Sequence, residues 1–253
     1  MIESIRITED NHVLEIEIAR PEKKNALTGE MYRSMTNALG DASQRREIGA
    51  VLVHGAGGAF CAGNDLADFI SGPDGGIAAF EFIRAIAAFP KPIVAAVQGL
   101  AVGVGTTLLF HCDLIYAAPD AQFIMPFVNL GIVPEAASSL LAPATIGYAK
   151  AAAMLLLGEA LDAHGADQAG LITGIVAKDG LLDHARSKAR ALTAKPPEAL
   201  LATRRLMKGD PTAIAARIEE EAALFRDAMQ SPEAQEAFAA FFEKRPPVFA
   251  ARD

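Results

Sequence analysis

A single carboxylate stands in an apolar stretch of the chain, the segment NLGIVPEAASS at residues 129–139. A carboxylate such as Glu135 loses hydration among apolar neighbours, which costs free energy unless something uses or neutralises the charge. Because burial raises the pKa of such a group, Glu135 is a candidate general base. It could instead be a glutamate at a helix start that accepts hydrogen bonds from backbone amides. The segment alone leaves both readings open.

Two glycine-rich turns follow predicted buried strands. One is GAGGAFCAGNDLADF at residues 55–69, after the strand ending at His54, and the other is residues 99–105, after the strand ending at Gln98. Glycine lets a backbone approach a ligand closely, and such a turn leaves N–H groups free to point at an anion. Side by side, the two turns could offer two donors to one developing oxyanion. By composition alone they could equally be ordinary tight turns.

Other catalytic signatures are missing from the sequence. It contains no GxSxG, GxxxxGK[ST], HExxH or CxxC motif, and its five histidines are scattered. The stretch GLAVGVGTTL lacks the third glycine of a dinucleotide fingerprint. We therefore predict no metal site and no disulfide framework. Cys61 and Cys112 are interpreted as small buried residues.

The composition indicates a folded, acidic protein. The 253 residues are 51% hydrophobic with a formal net charge of -8, and no basic patch suggests nucleic-acid binding. No stretch approaches the ~20 apolar residues of a membrane span, and the N-terminus MIESIRITED shows no signal or transit peptide. We expect a soluble cytoplasmic protein without nucleic-acid or membrane partners. The acidic run at residues 219–221 is interpreted as a solvated helix face.

Alternating strands and helices predict the α/β fold that would position these residues. VLEIEIAR alternates apolar and acidic residues as a half-buried strand does, and the apolar runs AVLVHG and KPIVAAVQG are typical of buried strands. Between VLEIEIAR and AVLVHG, Thr28 is predicted to cap a helix with the apolar stripe Met31, Met35 and Leu39. The pattern indicates a largely buried sheet with helices packed on it.

Beyond residue 180 the sequence reads as helices alone. Ser231 followed by Pro232 marks one helix start, with a cap residue and then proline at the first helical position. We predict an α/β core at residues 1–192 and a helical region at residues 193–253. We expect the apolar residues of that region to be buried against other subunits, because a thin appendage cannot hide them alone. These residues are Leu224, Phe225, Phe238, Phe241 and Phe242.

Five segments carry a family resemblance when they are taken together. They are ARPEKKNALT, GGAFCAGNDL, KPIVAAVQGLAVGVG, CDLIYAAPDAQFIMPFVNLGIVPEAAS and FFEKRPPVF, in that order over nearly the whole chain. The set resembles the crotonase superfamily, the enoyl-CoA hydratase/isomerase family. The resemblance implies a spiral of ββα units with a helical C-terminal region that packs in a trimer, usually within a hexamer. It also implies an acyl-CoA thioester as ligand, with coenzyme A as part of the substrate and no separate cofactor.

The resemblance also assigns site residues. The oxyanion-hole donors would be the backbone N–H groups of Asn64 and Val104; the family usually has glycine at the second position, but the donor does not depend on the side chain. Positions corresponding to CoA contacts are Lys24, Ala26, Leu27, Ala62, Asp65, Leu66, Phe241 and Lys244. Phe241 and Lys244 match positions that reach the adenine and phosphate end of CoA, often from a neighbouring subunit.

Departures from the family pattern favour its isomerase branch. Family hydratases use two glutamates around a water molecule, and this sequence has Thr107 and Phe127 at those positions. Glu135 matches the single catalytic glutamate of the Δ3,Δ2-enoyl-CoA isomerases. The resemblance therefore implies that Glu135 shuttles one proton and so shifts a double bond from C3–C4 to C2–C3, while the two amides hold the enolate oxygen.

Two alternatives remain open at this stage. The first is another crotonase-type reaction, such as hydration or thioester hydrolysis, in which Glu135 activates water. Polar residues facing Glu135 would favour it, whereas the apolar Val104 and Phe127 argue against it. The second is a catalytically silent acyl-CoA-binding subunit. Loss of both hydratase glutamates would support that reading, and retention of Glu135 argues against it.

Overall fold

The computed structural model describes residues 4–70 and 73–249, and in this part of the chain nine strands form two sheets. The outermost residues of the two predicted regions, 1–3 and 250–253, lie outside the described residues. The strands are β1 Ile5–Asp10, β2 Val13–Ile18, β3 Ala50–Gly55, β4 Ile93–Val97, β5 Leu100–Val102, β6 Leu114–Ala117, β7 Gln122–Ile124, β8 Leu161–Asp162 and β9 Gly174–Ile175. Together they build the scaffold that carries the two glycine-rich turns.

The larger sheet has the strand order β1-β2-β3-β4-β6-β9. Only the β1–β2 pair is antiparallel, and the remaining neighbours run parallel. Every residue of β3 and β4 is buried, as their continuous apolar runs predict. Strand β1 was not predicted from the sequence. Five of its six residues are exposed, and it lies within the N-terminal stretch MIESIRITED, which has no apolar run.

The smaller sheet contains β5, β7 and β8 and shows how the chain winds. After β4 in the large sheet, the chain forms β5 in the small sheet and then a helix; it repeats this order with β6, β7 and the next helix. An earlier turn of the spiral is marked by Cys61, which follows β3 and forms a parallel bridge with Ala101 in β5. The predicted crotonase-like spiral of ββα units is confirmed.

Helices cover both the sheet and the spiral. They are α1 Gly29–Gln44, α2 Leu66–Ile70, α3 Pro73–Ala88, α4 Val104–Thr107, α5 Ser138–Ile146, α6 Tyr148–Leu156, α7 Ala163–Ala169, α8 Leu181–Thr193, α9 Pro197–Lys208, α10 Pro211–Met229 and α11 Pro232–Glu243. The predicted caps are present: Thr28 accepts a hydrogen bond from the N–H of Met31, and Ser231 accepts one from the N–H of Ala234. No helix in the described residues is long and apolar enough to cross a membrane.

The C-terminal helices do not all stand away from the core. Helix α8 packs its buried residues against β3 and β4, and α10 and α11 bring Phe225 and Phe238 back to the main hydrophobic core. Phe225 is 4% exposed and Phe238 is 7% exposed. The expectation that these two residues await another subunit is therefore wrong. Their rings instead belong to the hydrophobic core of their own chain.

Three of the five apolar residues remain on the surface, and we propose that they contact other copies of the chain. Leu224, Phe241 and Phe242 are 52%, 57% and 52% exposed in the single chain. Large apolar side chains grouped on adjoining helices are typical of a subunit interface. We expect light scattering at micromolar concentration to give the mass of a trimer or a multiple of it. A stable monomer would contradict this assembly.

Candidate active site

Two backbone segments run side by side and place the predicted oxyanion donors together. Cys61 and Ala101 are partners in a parallel bridge, in which the Cys61 N–H donates to Leu100 O at 3.0 Å. Asn64 lies three residues beyond Cys61, and Val104 lies three residues beyond Ala101. Because parallel neighbours advance together, equal offsets from one bridge bring the two N–H groups to the same edge. The structure thus brings together the two turns that the sequence separates by 40 residues.

Glycines immediately before the two donors turn the backbone out of the bridge. Gly63 has φ 90° and Gly103 has φ 54°, conformations that L side chains rarely adopt. Among the described residues, the N–H groups of Asn64 and Val104 have no hydrogen-bond acceptor in the turns and loops. Val104 is the first residue of α4, so its N–H has no acceptor within the helix either. Two free donors at one edge are what an oxyanion hole requires.

The side chain of Asn64 is fixed by a tyrosine that sequence reasoning missed. The Tyr32 hydroxyl donates to Asn64 Oδ1 from helix α1, and Tyr32 is 1% exposed. Burial raises the pKa of this hydroxyl well above its usual value, so it stays protonated and acts as a donor. A signal was available: Tyr32 lies on the same helical face as Met35, and a buried tyrosine hydroxyl usually has a hydrogen-bond partner.

A cavity of about 310 Å³ opens beside the two donors. Its polar wall is the backbone of the two glycine turns, and its apolar wall includes Leu66, Phe127, Phe225, Phe238 and Phe241. Three larger hollows, of about 600 Å³ along α9, about 790 Å³ between α3 and α10 and about 400 Å³ beside Lys91, contain neither donor. We assign the smallest of these four cavities as the candidate site because it is the one among them that Asn64 and Val104 line, together with apolar side chains.

Glu135 is buried on the α4 side of this site. It is 5% exposed, and its Oε1 accepts a hydrogen bond from the hydroxyl of Thr107. Its Oε2 is buried and has no hydrogen-bond partner among the described residues. Helix α5 begins only at Ser138, and the Glu135 side chain accepts no backbone hydrogen bond there. The alternative of a helix-capping glutamate is therefore wrong for this residue.

Glu135 is connected to the cavity through helix α4. Glu135 is not among the residues of the cavity wall, whereas Val104 is. The carboxylate meets Thr107, which lies one helical turn after Val104 on α4. A substrate that used both the Val104 amide and the Glu135 carboxylate would therefore lie across the first turn of this short helix.

The surroundings of Glu135 keep its proton bound at neutral pH. Burial raises the pKa of the carboxyl to about 8, the Thr107 hydrogen bond opposes that rise, and the charge of Glu221 adds to it. At pH 7 roughly a tenth of such a group is ionised. Once ionised, it is a stronger base than an exposed glutamate, which suits it to remove a proton from carbon.

The two loops predicted to contact CoA lie against each other. Leu27 N–H donates to Gly63 O at 2.8 Å, and Ala62 N–H donates to Lys24 O at 3.0 Å. Arg20 joins the loops by donating to Ala26 O at 3.1 Å and to Asp65 Oδ2 at 2.7 Å. Asp65 is thus an anchor of the loop pair in this chain, and its contact with CoA stays a prediction.

The other predicted positions are separated in the structure. Leu66 and Phe241 both line the cavity, although they are 175 residues apart in sequence. Lys244 is exposed just after the end of α11 and outside the cavity wall. Its contact with CoA therefore stays a prediction, as does that of Lys24, which is also exposed.

Several polar side chains around the site have structural roles. Asp68 Oδ2 accepts from the N–H of Gly29 at 2.7 Å, at the start of α1. Ser139 Oγ donates to Glu221 at 2.5 Å and accepts from Arg217 at 3.0 Å. Burial raises the pKa of Cys61 to about 12, so its thiol is a poor nucleophile. The described part of the chain contains no cluster of three or more His, Cys, Asp or Glu residues placed to hold a metal ion.

Comparison with known proteins identifies the class. The enoyl-CoA hydratase/isomerase family model matches residues 8–252. The chain belongs to the enoyl-CoA hydratase/isomerase family, which is part of the crotonase superfamily.

Individual relatives carry different names within this family. The chain is 35% identical over 251 residues to "Enoyl-CoA delta isomerase 2" of Rattus norvegicus, covering 96% of this chain and 64% of the relative. It is 31% identical over 254 residues to "Probable enoyl-CoA hydratase echA8" of Mycobacterium bovis, covering 99% of each. A solved enoyl-CoA hydratase/isomerase from Pseudoalteromonas atlantica T6c is 41% identical with a TM-score of 0.93, covering 98% of this chain and 100% of that one.

Proposed function

We propose that this enzyme is an enoyl-CoA isomerase that shifts a double bond from C3–C4 to C2–C3 of an acyl-CoA thioester. The observation that carries the proposal is the state of Glu135. It is a buried carboxyl with one oxygen bound to Thr107 and the other without a partner among the described residues. A resemblance to a delta isomerase along 96% of the chain also supports it.

The reaction needs one base and one oxyanion site. The ionised Oε2 of Glu135 takes a proton from C2, and the electron pair of that C–H bond forms a C1–C2 double bond while the thioester oxygen becomes an enolate. The N–H groups of Asn64 and Val104 donate to this oxygen. The enolate electrons then return to form the C2–C3 double bond, and the former C3–C4 π electrons take the same proton at C4. No electron leaves the substrate, so the route uses no flavin or nicotinamide, and the two amides polarise the thioester in place of a metal ion.

The residues at the two hydratase positions favour isomerisation over hydration, although one of them, Thr107, is a polar residue facing Glu135. Hydration needs a base to activate water and an acid to protonate carbon. Thr107 stands at the first hydratase position and uses its hydroxyl on Glu135, while Phe127 stands at the second and is 5% exposed. Of the three positions where the family places its catalytic glutamates, this chain has a carboxyl only at Glu135, which is enough for a proton shuttle and insufficient for a two-acid hydratase mechanism.

A reaction that uses water on the same thioester is the second candidate. Ser138 Oγ is buried and, within the described chain, also lacks a hydrogen-bond partner. Its N–H donates to Glu135 O at 3.0 Å, so the two unpaired groups belong to one turn. A buried water held there could be activated by Glu135, because buried waters typically satisfy such otherwise unpaired groups.

A direct assay separates these functions. We would supply 3-enoyl-CoA and 2-enoyl-CoA thioesters of several chain lengths, and follow double-bond migration, 3-hydroxyacyl-CoA formation and release of free CoA. Migration faster than water addition or CoA release is expected. Predominant hydration or hydrolysis would replace the proposal with the second candidate. Tight binding of the thioesters without turnover would indicate a silent binding subunit.

The raised pKa of Glu135 predicts the pH dependence of the reaction. Because the base must be ionised, kcat/KM for isomerisation should rise with pH, about tenfold per unit well below a midpoint near 8, and level off above it. An exposed glutamate would give a flat profile over this range. Initial rates between pH 6 and 9 at subsaturating substrate measure this. A flat profile would contradict assignment of the buried carboxyl as the base.

A further inference from the structure

Glu221 is the one member of the acidic run at 219–221 that faces inward. Its side chain is 3% exposed, whereas the Glu219 and Glu220 side chains are 58% and 63% exposed. The prediction of a solvated face is therefore wrong for Glu221. A buried carboxylate needs hydrogen-bond donors around it. The donors to Glu221 lie more than 80 residues away in sequence.

The partners of Glu221 are the residues that directly follow Glu135. Oε2 of Glu221 accepts from the N–H of Ala137 at 2.6 Å. Oε1 accepts from the N–H of Ser139 at 3.0 Å and from its hydroxyl at 2.5 Å. The C-terminal helix α10 thus holds, through one side chain, the turn between the proposed catalytic base and helix α5.

That turn has a backbone conformation that must be held from outside. Ala136 has φ 61° and Ala137 has φ 54°, two consecutive alanines in the left-handed region. Non-glycine residues persist there only when the surroundings over-determine them. The clamp from Glu221 is one such constraint. The other is His111 Nε2, which lies 2.9 Å from Ala136 O.

The protonation of His111 fits this second contact. Burial lowers the pKa of His111 to about 4, so the ring is neutral at pH 7, and its Nε2 carries the proton that the carbonyl oxygen of Ala136 accepts. Lys208 of helix α9 in turn donates to His111 O at 2.7 Å. The turn after Glu135 is therefore held by two separate residues, Glu221 and His111.

We propose that Glu221 is a positioning residue that fixes the Glu135 turn from helix α10 and thereby aims the unpaired oxygen of Glu135 at the substrate. The expected effect of Glu221 on isomerisation rests on the proposed function. The expected effect of Glu221 on the backbone after Glu135 does not. Glu221 is not among the residues that line the cavity, so its effect is expected on the chemical step rather than on thioester binding.

The test compares three variants. Glu221→Ala removes all acceptors, Glu221→Gln keeps one oxygen acceptor, and Glu219→Gln is a matched control that alters only an exposed pair with Arg84. For Glu221→Ala we expect kcat for 3-enoyl-CoA isomerisation to fall about 10- to 100-fold, the scale of misplacing a catalytic group, with KM within about threefold. Glu221→Gln should recover part of this loss, and Glu219→Gln should match the wild type.

The pH profile adds a readout that simple loss of packing would not give. The ionisable groups that act on Glu135 or Glu221 are Tyr32, Cys61 and Arg217, besides the two glutamates themselves. Since the Glu221 charge raises the pKa of Glu135, the neutral glutamine should move the midpoint of kcat/KM to lower pH. An unchanged midpoint together with unchanged kcat in both Glu221 variants would overturn the proposal.

Amide hydrogen exchange separates this proposal from the proposed function. In Glu221→Ala, the Ala137 and Ser139 amides should exchange at least about tenfold faster than in the wild type, while amides of strand β4 should not change. This readout needs no turnover. If wild-type protein failed to isomerise 3-enoyl-CoA, the proposed function would fall, yet faster exchange at those two amides would still support the clamp. Unchanged exchange would overturn it whatever the reaction.

Discussion

Glu135→Gln should lower kcat for isomerisation by about 10²- to 10⁴-fold, the usual scale for losing a general base. Glutamine has nearly the same size and its oxygen can still accept from Thr107, so the fold and the contact to helix α4 should persist. The variant cannot remove a proton from C2 or return it to C4. Because the same group serves both steps, we expect the loss toward the upper end of this range.

Substrate binding should survive the substitution. The loops at residues 24–27 and 62–65 and the two free amides remain, so KM for the thioester should change little while kcat falls. Glu30→Gln, an exposed change in helix α1, serves as a matched control that should behave as wild type. Loss of thioester binding in Glu135→Gln would instead indicate that the carboxyl supports the site structurally.

Solvent deuterium gives an independent measurement of the same proton. In wild-type enzyme, exchange at C2 should accompany isomerisation to an extent set by how well the site excludes water. In Glu135→Gln, exchange and isomerisation should be lost together. An active Glu135→Gln enzyme would refute the one-base route and direct attention to a water-mediated mechanism at Ser138, whose buried hydroxyl lacks a partner among the described residues.

Sequence patterns predicted the features that depend on neighbours along the chain. The apolar run of β3, the cap at Thr28 and the Ser231-Pro232 helix start are all local, and the structure contains each of them. The paired glycine turns were also recognisable, because each follows a buried strand. Local patterns could not predict the bridge between Cys61 and Ala101, because these residues are distant in sequence. This bridge brings the two turns to one edge.

Residues that support the site through distant contacts were missed. Glu221 is 84 residues from Ala137, and a run of three acids suggests solvent even though helix residues point in different directions. The helical period held a signal: Ile218, Ala222 and Phe225 form a buried stripe, and Glu221 lies three residues from Ile218 and four from Phe225. A charged residue inside an apolar stripe indicates a buried carboxylate that has hydrogen-bond partners elsewhere in the fold.

Phe225 and Phe238 were misassigned for a related reason. Apolar residues on a C-terminal helix have the same pattern whether they face another subunit or the core of their own chain. In this structure α10 and α11 fold back on the core, so Phe225 and Phe238 face their own chain. Both rings line the cavity beside Phe241. The helical region therefore contributes to the site within one chain, apart from any role in assembly.

The oxyanion hole makes the second large prediction: Val104→Pro should lower kcat about 10²- to 10³-fold, the usual scale for removing one oxyanion donor. Proline has no N–H, so the substitution deletes the proposed donor and little else. Val104 is the first residue of α4, where proline is tolerated because the N–H has no helical acceptor. Gly103, which precedes it, has no Cβ to clash with the proline ring.

Val104→Ala is the matched control, since it removes more side-chain volume but keeps the N–H. If the valine side chain only fills space in the cavity wall, both variants should change KM modestly and neither should lose kcat strongly. If the amide holds the enolate oxygen, Val104→Pro should lose kcat while Val104→Ala stays within a few-fold of wild type, because the donor matters most when charge has developed. The decisive comparison is kcat for 3-enoyl-CoA isomerisation at pH 8.5, where Glu135 is mostly ionised. Equal activity in both variants would remove Val104 from the oxyanion hole and leave Asn64 as its remaining predicted donor.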